Sequence, residues 1–501
     1  MSTTTTGPAP VPPGVPTWRL AAASFAPIAT RSRVDAWLAR LPLLAVLAVQ
    51  ALMSLRLGTT AFEDEALYID AGHDLLAHWL HGAPVPDYGS FFSGAPAVYP
   101  VLAALLDSAG GLELVRAFSL VCMLVTTLCL RSVTTHLYGR RAGLLAAAAF
   151  AVTGPVAFLG AFATFDAMCV ASLAVAAWLG VTRRTARTAA AAGAALALAV
   201  TLKYTGSVFV PAVLALTFLS TRYLPRRVTR TAVAAGVAAA LLGTGFAIWG
   251  ESLLPGIVFT TAGREALSPA PTSQLLGYVA RDVGPLLLLA LAGAALTVRS
   301  VRSGLLAAVF LGAAALLVVG QLRLGEAVSF EKHLAYSAVF LAPLAGRALS
   351  ALSHRSLRAL GVLAVLWVLL VAGLSRSHTL YQWPDVSGVV SLIESDPVAG
   401  RYTSTSARSL AYYTRDEHPQ IQWDEVYGLF DSGEDAIRGA VTDRRYELIA
   451  FRSGSSGNPV EDQRLAVFVD AVQSSPDYVL ATEPFPVRKW ATEEWYVYRL
   501  R

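Results

Sequence analysis

Charge is scarce in this chain of 501 residues. Asp, Glu, Lys and Arg together make up 15% of the sequence, whereas about 25% is usual in a globular protein. Apolar residues supply 55%, and the mean hydropathy is +0.54. This composition excludes an ordinary soluble protein, and it excludes an intrinsically disordered one, which needs low hydrophobicity and high charge. The sequence instead predicts an α-helical polytopic membrane protein.

Cysteine is also scarce, and its positions exclude two further classes. Cys122, Cys129 and Cys169 all lie inside apolar runs, so we interpret them as small core residues rather than zinc ligands or disulfide partners. The net charge of +5 and the pI of about 9.1 would suit a nucleic-acid partner. The arginines, however, lie in short loops between apolar runs, so we expect the lipid bilayer as partner and no nucleic acid.

Charge-poor stretches of about the 20 residues that cross a bilayer recur through the first three quarters of the chain. We predict eleven transmembrane helices, near 41–57, 112–136, 142–162, 165–182, 187–202, 204–220, 231–249, 283–298, 304–321, 334–351 and 357–374. The stretches 187–202 and 204–220 form a short hairpin with Lys203 at its tip in this interpretation. One long, tilted helix is the alternative.

Arginine clusters set the predicted orientation, because short cytoplasmic loops are enriched in Lys and Arg. If successive spans cross the membrane in alternate directions, all of the arginine clusters lie on one side of it. Of the acidic residues before 376, only Asp35 lies on that side. The N-terminus is therefore predicted to be cytoplasmic in an integral plasma-membrane protein. Residues 1–40 are rich in Thr, Pro and Ala, have no signal-peptide core, and are predicted to be a disordered cytoplasmic tail.

The composition changes after residue 375. Nineteen of the 34 acidic residues lie in 376–501. β-like runs alternate there with helical patterns, which predicts a small extracytoplasmic α/β domain with a binding or supporting role. The predicted strands are 400–405, 446–451, 477–482 and 495–500, and the predicted helices are 386–394, 407–413, 434–444 and 462–473.

Three consecutive carboxylates, Glu63, Asp64 and Glu65, follow the first span and open a long outer loop, 58–111. Adjacent like charges repel, so a bound cation, a cationic partner or a raised pKa would account for the cluster. The alternative is a helix N-terminus, where acidic residues favour the dipole, because 65–81 has a helical pattern. This alternative does not exclude catalysis.

Further polar residues are predicted to lie on the same outer face. They are Asp166 at the start of the fourth span, Lys203 and Tyr204 at the hairpin tip, Arg264 in the second long outer loop, and Lys332 and His333 before the tenth span. An acidic centre ringed by cations suits a substrate that carries a reacting hydroxyl and a phosphate. Each cation taken alone is better explained as an interfacial side chain that snorkels to water, and only the shared face and the acidic cluster favour a binding site.

Metal binding is a separate hypothesis. Glu63 or Asp64 with Asp166 and His333 would offer ligands that suit Mg²⁺ or Mn²⁺. His73, His78 and His81 lie on one predicted helix, but they form no paired-ligand motif, so they are weaker metal candidates.

Several sequence blocks resemble the glycosyltransferase-C superfamily, in its branch of protein O-mannosyltransferases and lipid A aminoarabinose transferases. They lie in order over about 41–350. The blocks are Glu63-Asp64-Glu65-Ala66, Pro96-Ala97-Val98-Tyr99-Pro100, Gly111-Leu112 with Arg116, Leu137-Tyr138-Gly139-Arg140-Arg141-Ala142-Gly143, Thr164-Phe165-Asp166-Ala167, Lys203-Tyr204-Thr205-Gly206 and Lys332-His333 with Pro343.

The resemblance implies a transmembrane catalytic domain over 41–375 and an inverting transfer of one sugar from a polyprenyl-phosphate donor to an extracytoplasmic acceptor. By this resemblance Asp64 is the general base, with Glu63 and Glu65 as neighbouring candidates, and Lys203, Arg264, Lys332 and His333 are candidates to bind the lipid phosphate. Two other classes remain open. A transporter or flippase of a lipid-linked sugar would need similar cations, and a membrane-anchored receptor would use the C-terminal domain.

Overall fold

The computed structural model describes residues 40–221, 223–264, 266, 268–352, 356–456, 458–488 and 492–501, without the side chains of 356–358. All of the predicted N-terminal tail except its last residue lies outside these ranges. The helices before residue 381 are α1 (Leu41–Ser54), α2 (Glu63–His81), α3 (Tyr99–Tyr138), α4 (Arg140–Ala151), α5 (Gly154–Leu159), α6 (Phe165–Thr182), α7 (Ala186–Leu202), α8 (Val210–Ser220), α9 (Leu224–Thr260), α10 (Thr272–Asp282), α11 (Gly284–Thr297), α12 (Val301–Leu324), α13 (Phe330–Leu352) and α14 (Ser356–Leu380). Short 3₁₀ helices occupy Tyr88–Ser90 and Tyr204–Phe209.

Six helices of the described chain are long and apolar enough to cross a membrane, namely α3, α6, α9, α12, α13 and α14. The pair α10 and α11, bent by 73° at its junction, would add a seventh. α1, α7 and Tyr204–Ser220 are apolar but shorter. The chain is therefore a multi-pass membrane protein, although within the described ranges these criteria give fewer spans than the eleven predicted.

Backbone breaks explain much of this difference. The predicted span 142–162 is divided between α4 and α5, and Pro155, which has no amide hydrogen to continue a helix, lies in the first turn of α5. α3 extends back to Tyr99 but bends at Gly110 and Gly111. Gly111 has φ of 66° and ψ of −171°, a conformation that is practically restricted to glycine. The bend therefore separates the part of α3 in the outer loop from the predicted helix 112–136.

Lys203 lies between two helices rather than inside one. Its backbone is extended, with φ of −148° and ψ of 118°, and the 3₁₀ helix Tyr204–Phe209 leads from it into α8. The Tyr204 amide donates a hydrogen bond to the carbonyl of Ser93, which belongs to the outer loop. One continuous helix across 187–220 is therefore excluded, and Lys203 lies beside the loop that carries the acidic cluster.

α13 is the central helix of the bundle. Its apolar stretch is 89% buried, whereas that of α9 is 11% buried. α13 packs against α4, α11 and α12, and small residues allow close approach. A Cβ atom added to Gly293 in α11 would lie 1.8 Å from the carbonyl oxygen of Leu344 in α13. Because Lys332 and His333 lie in the first turn of α13, the tight packing of this helix fixes the position of both side chains along its axis.

The three cysteines are buried and unpaired, as predicted for small core residues. After residue 380 the chain forms α15 (Ser387–Ser395), β1 (Gly400–Ser404), α16 (Ala407–Thr414), β2 (Ile421–Glu425), α17 (Val426–Asp431), α18 (Glu434–Thr442), β3 (Leu448–Arg452), α19 (Pro459–Ser474), β4 (Tyr478–Leu480), β5 (Phe485–Pro486) and β6 (Glu494–Leu500). The predicted strands and helices of this region are present with shifted ends, and β2, α17 and β5 were not predicted. The strand order is β2-β1-β3-β6-β4, with β5 also on β6; β1, β2 and β3 are parallel, and β6 is antiparallel to its neighbours.

The C-terminal region contacts the outer loop that bears the acidic cluster. The Tyr413 hydroxyl accepts a hydrogen bond from the Ala61 amide at 2.8 Å, and the Trp383 ring nitrogen donates to the carbonyl of Thr60 at 2.8 Å. Ser409 donates to Glu63 at 3.1 Å. These contacts brace the backbone directly before and at the three carboxylates, which fits a supporting role for this region.

Candidate active site

Glu63, Asp64 and Glu65 form the first turn of α2, so the helix-terminus interpretation of the cluster is correct. The helix directs the three side chains to different surroundings. Glu65 is completely buried, the Asp64 side chain is 33% exposed, and Glu63 faces α16 through Ser409. Neighbours in sequence therefore have different chemical surroundings.

Glu65 is fully engaged in structural contacts. Its carboxylate accepts two hydrogen bonds from Arg116, from Nε at 3.0 Å and from Nη2 at 2.6 Å. The amides of Phe62 and Ala163 donate to it at 3.0 Å and 2.8 Å. Arg116 also donates to the carbonyl of Thr59 at 2.9 Å. With its oxygens so occupied, Glu65 joins α2, α3 and the segment before α6, and it is poorly placed to accept a proton from a substrate.

Asp64 pairs with Lys332 of α13, with 2.6 Å between Oδ2 and Nζ. The hydrogen bonds between described residues leave the other carboxylate oxygen, Oδ1, open to another donor. The Lys332 ammonium also lies 5.3 Å from the centre of the Phe162 ring. Asp64 is thus a partly exposed carboxylate that pairs with one cation through Oδ2, while its Oδ1 has no hydrogen-bond partner among the described residues.

Asp166, Lys203 and His333 form a second, buried group. Lys203 Nζ lies 2.5 Å from Asp166 Oδ1 and 3.2 Å from His333 Nε2. Because an ammonium group can only donate, His333 Nε2 is the acceptor, and the ring proton belongs on Nδ1. Nδ1 is buried and has no hydrogen-bond partner among the described residues. His333 is therefore neutral in this arrangement, rather than the cation considered from sequence.

Tyr336 and Thr164 complete the surroundings of Asp166. The Tyr336 hydroxyl donates to Oδ1 at 3.1 Å, and the Thr164 hydroxyl donates to Oδ2 at 3.3 Å. Sequence reasoning did not select Tyr336, although it lies four residues after Lys332 and so on the same face of α13. That spacing was the signal that could have identified it.

The two groups meet at the start of α13, where Lys332 and His333 are neighbours in sequence, and charges from both groups act on Tyr68 in α2. Burial is the main cause of its raised pKa, and the negative charges of Asp64 and Asp166 raise the pKa further. The positive charge of Arg264 acts in the opposite direction. Arg264 also lies 3.7 Å from Glu326, just before α13. Asp64, Asp166, Lys203, Arg264, Lys332 and His333 therefore surround one region at the ends of α2, α6 and α13.

Two of the predicted site residues, Glu63 and Tyr204, are arranged differently from Asp64 and Asp166, each of which pairs with a lysine. Burial raises the pKa of Glu63 to about 7, and its contacts are with α16 rather than with the lysines. Tyr204 is buried, and its hydroxyl has no partner among the described residues. Tyr204 is placed through its backbone, and among the described residues no side-chain hydrogen bond links it to the Asp166–Lys203 pair.

The candidate metal ligands form no ready set of three in the part of the chain that the structure describes, and metal binding stays a prediction. Within the described ranges, no three His, Cys, Asp or Glu side chains lie close enough together to hold an ion. Asp64 and Asp166 are each paired with a lysine instead. On the three histidines of α2, His73 contacts Asp107 at 2.9 Å and His78 contacts the carbonyl of Ala83 at 2.7 Å.

The chain was compared with known protein families, sequences and structures. The profile of the dolichyl-phosphate-mannose-protein mannosyltransferase family matches residues 96–249. No curated protein sequence matches. ArnT from Cupriavidus metallidurans bound to undecaprenyl phosphate is similar in structure, with a TM-score of 0.63 and 14% identity over 92% of this chain and 98% of that chain.

Two further solved structures are similar over much of this chain. The apo oligosaccharyltransferase of Archaeoglobus fulgidus has a TM-score of 0.52 and 12% identity, over 81% of this chain and 69% of that one. The arabinofuranosyltransferase AftD from Mycobacteria, in its R1389S mutant, has a TM-score of 0.52 and 16% identity, over 92% of this chain and 41% of that one. At sequence identities this low, the structural similarity establishes the fold alone. The chain therefore has the glycosyltransferase-C membrane fold that its sequence resemblance predicted, and its residues 96–249 match the mannosyltransferase family within it.

Proposed function

We propose that this protein is an inverting membrane glycosyltransferase, which moves one sugar from a polyprenyl-phosphate donor to an extracytoplasmic acceptor in the cell envelope. One observation carries the proposal. Asp64 is a partly exposed carboxylate with an open oxygen, and it lies beside a group of cations at the end of a membrane helix bundle. A general base next to cations that can receive a phosphate is what this reaction requires.

Asp64 is the residue best suited to be the base. Glu65 and Asp166 are both buried, and their oxygens are occupied by protein donors. A base must come within hydrogen-bond reach of the acceptor hydroxyl, and the open Oδ1 of Asp64 allows this. Lys332, whose Nζ lies 2.6 Å from Oδ2, holds the Asp64 carboxylate in place.

The lysines are suited to receive the leaving phosphate. An ammonium group has three donors. Lys203 directs one to Asp166 and one to His333, and Lys332 directs one to Asp64, so both retain a donor for a substrate oxygen. The unpartnered Nδ1–H of His333 provides a further donor, and Arg264 adds positive charge. Such preorganised donors stabilise charge that develops on a departing group.

The proposed reaction is a single displacement at the anomeric carbon of the donor sugar. The acceptor oxygen loses its proton to Asp64 and forms a bond to the anomeric carbon of the donor sugar. The bond between that carbon and the phosphate oxygen breaks, and the phosphate retains the electron pair. Attack opposite the leaving group inverts the anomeric configuration. The donor is already activated, so the step requires no nucleotide.

The placement of the reaction outside the cytoplasm is part of the proposal. Arg183 and Arg184 directly follow α6, at the opposite end of that helix from Asp166, which under the positive-inside rule puts this site outside. The C-terminal region, which contacts the same loop, would then be extracytoplasmic as well. A relative in fold is solved with bound undecaprenyl phosphate, which supports a lipid-phosphate donor.

Asp64→Asn tests the role of the base in purified protein in detergent. Undecaprenyl-phosphate mannose and undecaprenyl-phosphate arabinose serve as donors, with cell-envelope extract as acceptor. We expect transfer to fall at least about 100-fold, while folding and donor binding persist. Asp87→Asn, which changes an exposed carboxylate in the same loop, should retain wild-type transfer.

The same assay separates the proposal from its alternative. A transporter or flippase would move the lipid-linked sugar without forming a glycosylated product. Product formation by Asp64→Asn at the wild-type rate would exclude Asp64 as base, and the absence of product from the wild-type protein with every donor would exclude the transfer itself.

A further inference from the structure

A cavity lies at the other end of the helix bundle. It has a volume of about 580 Å³, within the range of roughly 300–1,000 Å³ that is usual for small-molecule sites. Val181, near the last residue of α6, lines it, whereas Asp166 is in the first turn of the same helix. At 1.5 Å per residue the 18 residues of α6 span about 27 Å, so this cavity is separate from the candidate active site.

Cationic side chains dominate the polar lining of this cavity. Arg184, Arg226, Arg230 and Arg302 contribute to it, together with His136, and none of its described lining residues is acidic. Four guanidinium groups around one cavity repel each other unless an anion compensates them. Arginine on this face is also expected from the positive-inside rule, but that rule concerns loops and does not require convergence on one cavity.

Arg230 gives an independent indication of a ligand. The residue is 4% exposed, and its terminal nitrogens donate to Thr221 Oγ1 at 2.7 Å and to the carbonyl of Gly180 at 2.6 Å. Its Nε, however, is buried and has no hydrogen-bond partner among the described residues. A buried charged donor without a partner is costly, so an acceptor supplied by a ligand would remove a real penalty.

The four arginines divide into two pairs. Arg230 and Arg302 are anchored to the ends of α6 and α8, because Arg302 Nε donates to the carbonyl of Leu219 at 2.6 Å. Arg184 and Arg226 are exposed, and neither has a hydrogen bond or ion pair with another described residue. The first pair fixes the shape of the cavity, and the second pair retains its donors for a ligand.

The surrounding helices also favour an anionic ligand in this cavity. α9 and α12 both begin at the cavity, with Tyr223 and Ser300 as their N-cap residues. A helix N-terminus carries partial positive charge and favours anions. Ser303 in the first turn of α12 adds a hydroxyl group to the lining. Guanidinium groups, hydroxyls and helix N-termini together are the donors that bind phosphate oxygens.

We propose that this cavity is a second site that binds a phosphate monoester, on the arginine-rich face that the sequence predicts to be cytoplasmic. The ligand is either the headgroup of an anionic membrane lipid or a small soluble phosphate. Basic pockets between membrane helices on the cytoplasmic side are suited to lipid headgroups. The site is independent of the proposed sugar transfer, since no residue that lines it belongs to the candidate active site around Asp64 and Asp166.

Binding to the full-length protein in detergent tests the proposal. After delipidation, retention of dioleoyl phosphatidic acid is measured by native mass spectrometry against dioleoyl phosphatidylcholine, and binding of inorganic phosphate is measured by calorimetry. The double variant Arg184→Gln/Arg226→Gln removes the two open guanidinium groups. Arg140→Gln/Arg183→Gln is the control, because it removes two arginines that belong to the same sequence-predicted face but do not line the cavity.

We expect weaker binding only in the Arg184→Gln/Arg226→Gln variant, by roughly tenfold for each guanidinium group lost. Such a loss for phosphatidic acid identifies a lipid headgroup site, and such a loss for inorganic phosphate alone identifies a soluble ligand. If the wild-type protein binds neither probe, or if both double variants weaken binding equally, the proposal is overturned. Because these readouts are binding measurements, their failure would leave the sugar-transfer proposal untouched.

Discussion

The replacement of Glu65 by Ala separates the structural carboxylate of the acidic cluster from the proposed base. Glu65 is 0% exposed and accepts four hydrogen bonds, two from Arg116 and two from the amides of Phe62 and Ala163. Its loss leaves the Arg116 guanidinium, which is 5% exposed, without its buried counter-ion. The two amides lose their acceptor at the same time.

The expected cost follows from these contacts. Removal of one partner of a buried ion pair costs about 3–5 kcal/mol, because the other charge remains buried and uncompensated. Arg116 keeps its bonds to the carbonyls of Thr59 and Thr60, which places the expected value toward the lower end of that range. We therefore expect Glu65→Ala to lower the free energy of unfolding by about 3 kcal/mol.

The control uses the other acidic partner of the same arginine. Glu113 lies 3.5 Å from Arg116, but its side chain is 76% exposed, so Glu113→Ala should change stability by less than about 1 kcal/mol. Thermal and denaturant unfolding of both variants in the same detergent measures the difference. Equal stability of the two variants would refute the structural role assigned to Glu65, and full stability of Glu65→Ala with no sugar transfer would return it to the list of catalytic candidates.

Three other predictions test separate parts of the structure. The pKa of Glu63 is raised from 4.5 to about 7 by burial, so its contribution to stability is full below pH 4.5 and is lost as the pH rises through 7. The unfolding midpoint of Glu63→Gln should therefore fall less between pH 5 and pH 8 than that of the wild type, while exposed Glu251→Gln should follow the wild type. Gly293→Ala should destabilise the bundle by about 1–3 kcal/mol in thermal unfolding, because its Cβ would overlap a backbone oxygen, whereas Gly312→Ala, where the space is open, should be neutral or slightly stabilising. Tyr336→Phe removes a donor to Asp166 and should lower transfer about tenfold at an unchanged unfolding midpoint, so an unchanged transfer rate would exclude a positioning role for this hydroxyl.

Composition and local patterns determined the class of this protein. Apolar stretches of span length and a low content of charge require a lipid environment, and those properties can be read without any knowledge of packing. The positions of most helix ends, the break at Lys203 and the alternating strands after residue 400 also follow from local sequence. The exact bounds of the membrane spans do not follow from local sequence. Gly111 bends α3 and Pro155 lies where α5 begins anew, and such bends and breaks divide or lengthen the helices that cross the membrane.

The tertiary structure decided which contacts each polar residue makes. Sequence places Glu63, Asp64 and Glu65 in one helical turn, but only packing shows that Glu65 is saturated by Arg116 while Asp64 keeps an open oxygen. The partners that decide this lie 51 and 268 residues away in the chain. The role of a carboxylate depends on which donors reach it and how much water remains, and both are properties of the assembled fold rather than of neighbouring residues in the sequence.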